Sequence, residues 1–174
     1  MAGNNVNSII RDLKSLRIQG ASQVKKHSIL AAKLISEQDK SNNLKKFEKN
    51  FKSKLKQLAY ARATEPQTRE SLRQILLAEK NACSLDEAKE NIFEKCFDLE
   101  KQYEADMKKL IQHGVSVLKK DSVVFTHCHS HTVEHILQKA FEKCRLQKVY
   151  CTETRPRYQG RITAKNLKIG RAHV

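Results

Sequence analysis

A run of side chains that could do chemistry lies between Val123 and Ile136, where the sequence reads VVFTHCHSHTVEHI. The run combines one thiol, Cys128, with four imidazoles. Histidine and cysteine side chains bind zinc. A cysteine whose thiolate is stabilised by neighbouring positive charge is a reactive group. The residue types therefore predict either a metal site or a reactive cysteine.

The metal alternative depends on spacing. His131 and His135 are four residues apart, so one face of a helix can present both, with Cys128 as a third ligand. The sequence has none of the CxxC pairs that accompany structural zinc sites. We therefore expect no bound metal, a partly exposed His135, and a Cys128 that contacts a ligand.

The elements around Cys128 predict where it lies. The β-branched and aromatic run Ser122 to Thr126 is typical of a buried parallel strand. A helix is predicted from Val133 to about Cys144, and a second strand from Lys148 to Thr152. Such a βαβ unit begins a doubly wound sheet, in which ligands bind at the carboxyl ends of the strands. We therefore expect Cys128 in a ligand-binding crevice.

The segment that follows the second strand, ETRPRYQG, ends at Gly160 and should reach the same crevice. Its guanidinium groups suit phosphate better than ammonium groups do. The helix that follows Cys128 presents free N–H groups to an anion, and imidazoles beside that terminus would stabilise a thiolate. Together these features predict a phosphorylated small molecule as ligand.

The chain upstream is predicted to be helical from residue 5 to about residue 118. Capping boxes at Ser84 with Glu87 and at Thr64 with Gln67 indicate two helix starts. A further amphipathic helix is indicated by apolar residues at helical spacing, namely Leu44, Phe47, Phe51, Leu55 and Leu58. The fold class is therefore α/β. We predict a helical domain over residues 1–118 and an incomplete Rossmann-like parallel-sheet domain over residues 119–174.

The formal net charge of +15 raises the question of nucleic acid. The lysines between Lys40 and Lys56 decorate the outer face of the amphipathic helix, which favours a solvated face. A nucleic-acid or acidic-protein surface is the alternative. No apolar run is long enough to cross a membrane, and the amino terminus lacks a secretory signal. An odd number of irregularly spaced cysteines fits a reducing compartment, so a cytoplasmic protein is expected.

Two motifs resemble one family. VVFTHCHS and ETRPRYQGRITAKNL are similar to segments of archaeal ribose-1,5-bisphosphate isomerases. Their superfamily includes methylthioribose-1-phosphate isomerases and the alpha, beta and delta subunits of translation initiation factor 2B. Weaker matches are IQGA, Ile18 to Ala21, where the family has IRGA, and RATEP, Arg62 to Pro66. The resemblance covers nearly all of this chain but only about the first half of a family protein.

The resemblance implies a sugar bisphosphate between a helical and a Rossmann-like domain. In the family a cysteine and an aspartate convert an aldose 1-phosphate into a ketose phosphate without a cofactor. Cys128 matches the cysteine, which acts as the acid. The positions that match substrate-binding residues are Gly20, Ala21, Arg62, His129, Ser130, Arg155, Gln159 and Gly160.

Two departures from the family bear on activity. Gln19 replaces the arginine of the IRGA turn, which loses a charge-assisted contact worth ~1.5–3 kcal/mol. The family aspartate lies beyond Val174, so we expect that this chain alone does not isomerise a substrate.

Two functions follow from the resemblance. One is an isomerase in nucleotide (AMP) salvage that is a homo-oligomer at full length. The other is an initiation-factor-2B-like regulatory subunit that binds a sugar phosphate or nucleotide and a translation-factor partner. A nucleic-acid-associated protein is a weaker third alternative.

Overall fold

The computed structural model describes residues 5–80 and 82–167. The chain divides into two compact units, Met1–Tyr103 and Glu104–Val174, which we call the amino-terminal and carboxy-terminal units. The division falls inside one long helix, Leu85–Val117, which is α5. The domain boundary predicted after residue 118, next to the end of this helix, stays a prediction.

The described part of the amino-terminal unit is helical. Its elements are α1 (Val6–Lys14), α2 (Ala21–Gln38), α3 (Leu44–Ala61), α4 (Pro66–Glu79) and the first part of α5. Asparagine side chains begin two of these helices, because the side-chain oxygens of Asn5 and Asn43 accept backbone N–H groups of α1 and α3. The helical prediction for this region is confirmed.

One predicted capping box forms and the other does not. At the start of α5, the Ser84 hydroxyl accepts the N–H of Glu87 at 3.2 Å, and the Glu87 carboxylate accepts the N–H of Cys83 at 2.6 Å. The box predicted at Thr64 was wrong, because α4 begins at Pro66 with Glu65 at the N-cap. A proline restricts the residue before it to extended backbone, which moves the helix start past Thr64.

The core of the amino-terminal unit lies between its helices. The residues predicted to face inward from α3 are buried, except for the partly buried Leu44 at its start. The rings of Phe47 and Phe51 are fully covered and stack with centroids 5.5 Å apart. Apolar residues of α1, α2, α4 and α5 complete the core. The amphipathic pattern of the sequence therefore predicted the buried face correctly.

The carboxy-terminal unit contains a βαβ unit followed by a helix. After the end of α5 come β1 (Ser122–His127), α6 (His131–Glu142), β2 (Leu146–Thr152) and α7 (Gln159–Leu167). Within the described residues β1 and β2 form a two-stranded parallel sheet, with Val124 opposite Val149. The predicted parallel sheet is confirmed.

The prediction that β1 is buried was wrong for half of its side chains. Val123 is 57% exposed and Phe125 is 71% exposed, while Val124 faces the other side of the sheet and packs into the core. Leu137 of α6 and Leu167 of α7 cover that side. Within the carboxy-terminal unit α6 and α7 therefore cover one face of the sheet, and the strand alternates instead of being buried throughout.

A glycine permits close packing of α5 on α6. A Cβ added at Gly114 would lie 2.5 Å from Cδ1 of Ile136, well inside normal contact distance.

In the part of the chain that the structure describes, none of the helices combines the length and apolar character that a membrane crossing requires.

Candidate functional site

Cys128 lies at the carboxyl end of β1 in an unusual backbone conformation. Its φ is 66°, in the left-handed region that residues with a Cβ rarely adopt. Such conformations cost free energy and cluster at functional sites. The thiol at this turn is half-buried.

The thiol of Cys128 contacts the loop that follows β2. Its Sγ donates a hydrogen bond to Oε1 of Gln159 at 2.7 Å, and the Thr154 hydroxyl lies 4.0 Å from the same sulfur. The two loops meet because the parallel strands end in register, with His127 opposite Thr152. The arrangement therefore puts the sulfur where the segments that follow the two strands converge.

The start of α6 lies directly after this thiol. Ser130 is the N-cap, and its hydroxyl accepts the N–H of Val133 at 3.4 Å. His127, on the exposed end of β1, shares a 2.6 Å hydrogen bond with the Thr152 hydroxyl. The helix start that the sequence placed beside Cys128 is therefore present, with the exposed Ser130 at its tip.

The arginine-rich loop is shaped by an acidic residue that the sequence analysis missed. One carboxylate oxygen of Glu153 accepts the N–H groups of Thr154 and Gly160 at 2.9 and 3.0 Å. The other lies 3.1 Å from Nε of Arg161. A Cβ at Gly160 would collide with the carbonyl oxygen of Thr152, so glycine is required where α7 meets β2.

The arginines of this loop gather around one aromatic ring. The guanidinium carbons of Arg155 and Arg161 lie 5.8 and 4.8 Å from the centroid of the Tyr158 ring. Both side chains are exposed. The loop therefore presents positive charge near the edge of the sheet where Cys128 lies, as the sequence predicted.

His129 lies in a polar cluster between α6 and α7. Its Nδ1 lies 2.9 Å from the Thr163 hydroxyl and 3.7 Å from Oε2 of Glu134, and both His129 and Glu134 side chains are 9% exposed. Burial lowers the pKa of His129, the positive charge of His131 lowers it further, and Glu134 opposes both effects. His129 is therefore held toward its neutral form.

The structure groups the histidines differently from the zinc alternative. His129 and His131 have ring centroids 4.7 Å apart, whereas His135 is exposed one turn further along α6. Glu134 was missed, although HTVE places it three residues after His131, a spacing that shares one helix face. Thr163 had no detectable signal, because α7 lies far along the sequence from His129.

The remaining predicted residues lie in the amino-terminal unit. Gly20 has a φ of 80° at the N-cap of α2, and Ala21 is the first residue of that helix. Beside them Nε2 of Gln19 donates to the carbonyl of Leu16 at 2.8 Å.

Arg62 pairs with Glu65 at 3.3 Å through Nη2, while its buried Nη1 has no hydrogen-bond partner among the described residues. An unsatisfied buried donor of this kind costs free energy, and an anion would satisfy it.

Comparison with known proteins identifies relatives. The family model described as "Initiation factor 2 subunit family" matches residues 17–172. Ribose 1,5-bisphosphate isomerase of Thermococcus kodakarensis is 28% identical over 163 residues, which are 91% of this chain and 51% of that protein. The Pyrococcus furiosus protein of the same name is 29% identical over 171 residues, 96% of this chain and 53% of its own length. The chain thus spans about half the length of these relatives.

Solved structures share the fold. Translation initiation factor eIF-2B subunit delta from A. fulgidus matches with a TM-score of 0.74 and 21% identity, over 91% of this chain and 49% of that one. 5-Methylthioribose 1-phosphate isomerase from Pyrococcus horikoshii OT3 matches with a TM-score of 0.77 and 20% identity, over 90% and 47%. These likenesses confirm the fold class, a helical region followed by part of a Rossmann-like sheet.

Proposed function

Because this chain belongs to the initiation factor 2 subunit family, we propose that its protein isomerises ribose 1,5-bisphosphate, with Cys128 as the acid. The curated relatives that align with most of the chain carry the name of that activity. One observation carries the proposal, and it concerns the Cys128 thiol. It is held in left-handed backbone 2.7 Å from Gln159, where the loops after the two parallel strands meet.

The thiol has the chemistry that the first step needs. Opening the ring of an aldose phosphate requires a proton on the ring oxygen as the bond from that oxygen to C1 breaks. A positioned acid typically accelerates such a step by about 10²–10⁴-fold. Cys128 supplies this proton, and the acceptor Gln159 orients the sulfur until substrate displaces the amide. The second acid–base group is the aspartate that the family carries outside the matched half.

The phosphate groups bind where positive charge and free donors are available. In the carboxy-terminal unit these are the exposed Arg155 and the start of α6 at His129 and Ser130, with Gln159 and Gly160 bordering the sugar. In the amino-terminal unit they are the α2 start at Gly20 and Ala21 and the unpartnered Nη1 of Arg62. An anion would satisfy the buried Arg62 donor.

The isomerase proposal is tested by product formation. The natural-length protein is incubated with ribose 1,5-bisphosphate, and ribulose 1,5-bisphosphate is followed by phosphorus NMR. Cys128→Ser should lower the rate at least about a hundredfold, the loss expected for an acid. Cys144→Ser is the matched control, because Cys144 also has a positive φ, 52°, but is exposed at the far end of α6. No product from the wild type, or full activity in Cys128→Ser, contradicts the proposal.

A second candidate function is a regulatory subunit that binds a sugar phosphate or nucleotide without turnover. Gln19 favours it, because an amide stands where the resemblance expects a phosphate-binding arginine, and this amide is bonded to Leu16. One structural relative is a tetrameric eIF2B-beta2-delta2 complex, so this candidate would act in an oligomer. Calorimetric binding of ribose 1,5-bisphosphate or AMP with no product would support the regulatory role, and turnover would exclude it.

A further inference from the structure

Three potential metal ligands converge at the start of α6. His129 precedes the helix, and His131 and Glu134 lie in its first turn. One ligand atom from each side chain lies within 4.8 Å of the others. Within this group Nδ1 of His129 is 3.7 Å from Oε2 of Glu134. The cluster lies within the carboxy-terminal unit and does not include Cys128.

These distances suit a small divalent cation. Zinc binds imidazole nitrogen and carboxylate oxygen at about 2.0–2.2 Å, so ligand atoms of a tetrahedral site lie roughly 3.3–3.6 Å apart. The 3.7 Å separation of His129 and Glu134 is already close to that spacing. Rotation of the half-buried His131 ring would bring the third ligand inward.

Glu134 provides the second argument, because it is a buried carboxylate without a permanent cation. The residue is 7% exposed. Its hydrogen bonds are to neutral amides, Asn166 at 3.1 Å and Gln138 at 3.5 Å. Within residues 5–80 and 82–167, its ion-pair partner is His129 and not a lysine or arginine. Buried charges are normally paired or coordinate metals, and a divalent cation would supply the missing charge.

Asn166 of α7 supports one of the ligands. Its side-chain amide donates to Oε2 of Glu134 at 3.1 Å. Carboxylates that bind metals are normally hydrogen-bonded in this way, and their partners keep them oriented. The Thr163 hydroxyl lies 2.9 Å from Nδ1 of His129, the nitrogen that faces Glu134, so this contact would give way when the ion binds.

We propose that His129, His131 and Glu134 bind one divalent transition-metal ion of the zinc type. Two imidazoles and one carboxylate are the ligand set of zinc sites that leave a fourth position to water, and iron(II) sites share it. Through Asn166, the ion would join the start of α6 to α7. The site goes beyond the proposed isomerase activity. It shares only His129 with the proposed phosphate site, and its test is zinc binding and not product formation.

Zinc and cobalt(II) titrations of the metal-free natural-length protein test the proposal. One zinc per chain should bind and raise the thermal unfolding midpoint, since only the folded chain assembles the ligands. Cobalt(II) should give visible absorption without the charge-transfer band of a thiolate ligand. In imidazole NMR spectra, zinc should shift the signals of His129 and His131 and leave those of His113 and His135 in place.

Matched variants distinguish this ligand set from the alternative set of Cys128, His131 and His135. His131→Gln and Glu134→Gln should each weaken zinc binding by more than the ~10–100-fold that losing a supporting group costs. His135→Gln, one turn away and exposed, and Cys128→Ser should bind zinc like the wild type. Circular dichroism checks folding, and His131→Gln carries the test if the buried Glu134→Gln variant does not fold.

Three results overturn the proposal: no stoichiometric zinc binding, unchanged binding by folded His131→Gln, or loss of binding in Cys128→Ser or His135→Gln. The last result would indicate the Cys128, His131 and His135 ligand set instead. Failure of the metal site leaves the isomerase proposal standing, because product formation by Cys128 is measured without added metal. Failure of the isomerase proposal likewise leaves the zinc titration unchanged.

Discussion

The two units of the chain differ in what holds them together. The amino-terminal unit covers Phe47 and Phe51 completely within a core to which all five of its helices contribute. In the described carboxy-terminal unit the apolar cluster is centred on three residues, Leu137, Val149 and Leu167. Its sheet leaves Phe125 71% exposed on the opposite face.

The difference shows that the groups able to do chemistry lie in the unit with the smaller apolar core. Polar bonds hold them there. Glu153 fixes the arginine-rich loop, Thr163 fixes His129, and Gln159 fixes the Cys128 thiol. Partly buried hydrogen bonds of this kind specify geometry as well as contribute stability. The site is therefore organised by hydrogen bonds from α7 and its preceding loop more than by apolar packing.

The largest expected effect comes from replacing a buried phenylalanine with alanine, compared with the same replacement at an exposed phenylalanine. Phe51→Ala should lower the free energy of unfolding by about 3–5 kcal/mol, because it removes a fully buried ring. Phe125→Ala should change it by less than about 0.5 kcal/mol, as surface substitutions do. Urea unfolding followed by circular dichroism measures both. Equal losses would mean that the face of Phe125 is covered in solution and would break the comparison.

Leu137→Ala tests whether the smaller core is separate from the larger one. Truncating this 2%-exposed side chain should cost about 2–4 kcal/mol. The loss should appear as faster amide hydrogen exchange in β1, α6 and β2, with exchange in α3 unchanged. Equal acceleration in α3 would show that the two units open together.

The two close-packed glycines should respond differently to alanine. Gly160→Ala should cost ~1–3 kcal/mol, since its Cβ meets the backbone carbonyl of Thr152, which cannot move without β2. Gly114→Ala should cost less, because its Cβ meets a side chain, Ile136, and not backbone, and alanine favours a helix by about 1 kcal/mol. Thermal unfolding of the pair gives the order, and a larger loss at Gly114 would contradict it.

A last effect appears only at alkaline pH and tests how completely the larger core excludes water. Burial, and then the negative charge of Glu100, raise the pKa of the Cys96 thiol from 9.0 to about 12. An acid whose pKa is raised by folding keeps its proton to a higher pH in the folded chain than in the unfolded chain. The buried thiol therefore makes its full contribution to stability below pH 9. As the pH rises above 9, the free energy of unfolding falls by about 1.4 kcal/mol per pH unit.

Urea unfolding across the alkaline range measures this slope. Cys96→Ala should remove it relative to the wild type, whereas Cys83→Ala, which changes an exposed thiol, should retain it. A slope that persists in Cys96→Ala would show that this thiol titrates freely in the folded chain.

Local patterns in the sequence predicted much of the fold. The spacing of Phe47, Phe51 and Leu55 predicted the buried face of α3, since helix geometry is fixed by the chain itself. Parallel pairing of β1 with β2 followed from the helix between them. The exposure of Phe125 did not, because a strand's own residues do not reveal which of its faces a helix will cover. Pro66 overrode the capping pattern at Thr64.

The candidate site was predictable in place but not in detail. The sequence put Cys128 at the carboxyl end of β1 and the ETRPRYQG loop beside it, and the structure brings the thiol to Gln159. The roles given to these residues stay predictions. The contacts of Glu134 and Thr163 with His129 could not be foreseen, because they depend on how α7 packs on α6.

The left-handed backbone at Cys128 has a consequence for how such a chain changes over generations. A residue with a Cβ costs roughly 1–2 kcal/mol in this conformation, and glycine avoids that cost. A lineage that no longer used the thiol would gain stability from the first mutation to glycine, and drift would fix it readily. Glycine at position 128 of a related sequence would therefore combine loss of the thiol with a gain in stability, whereas cysteine there keeps the thiol at that cost.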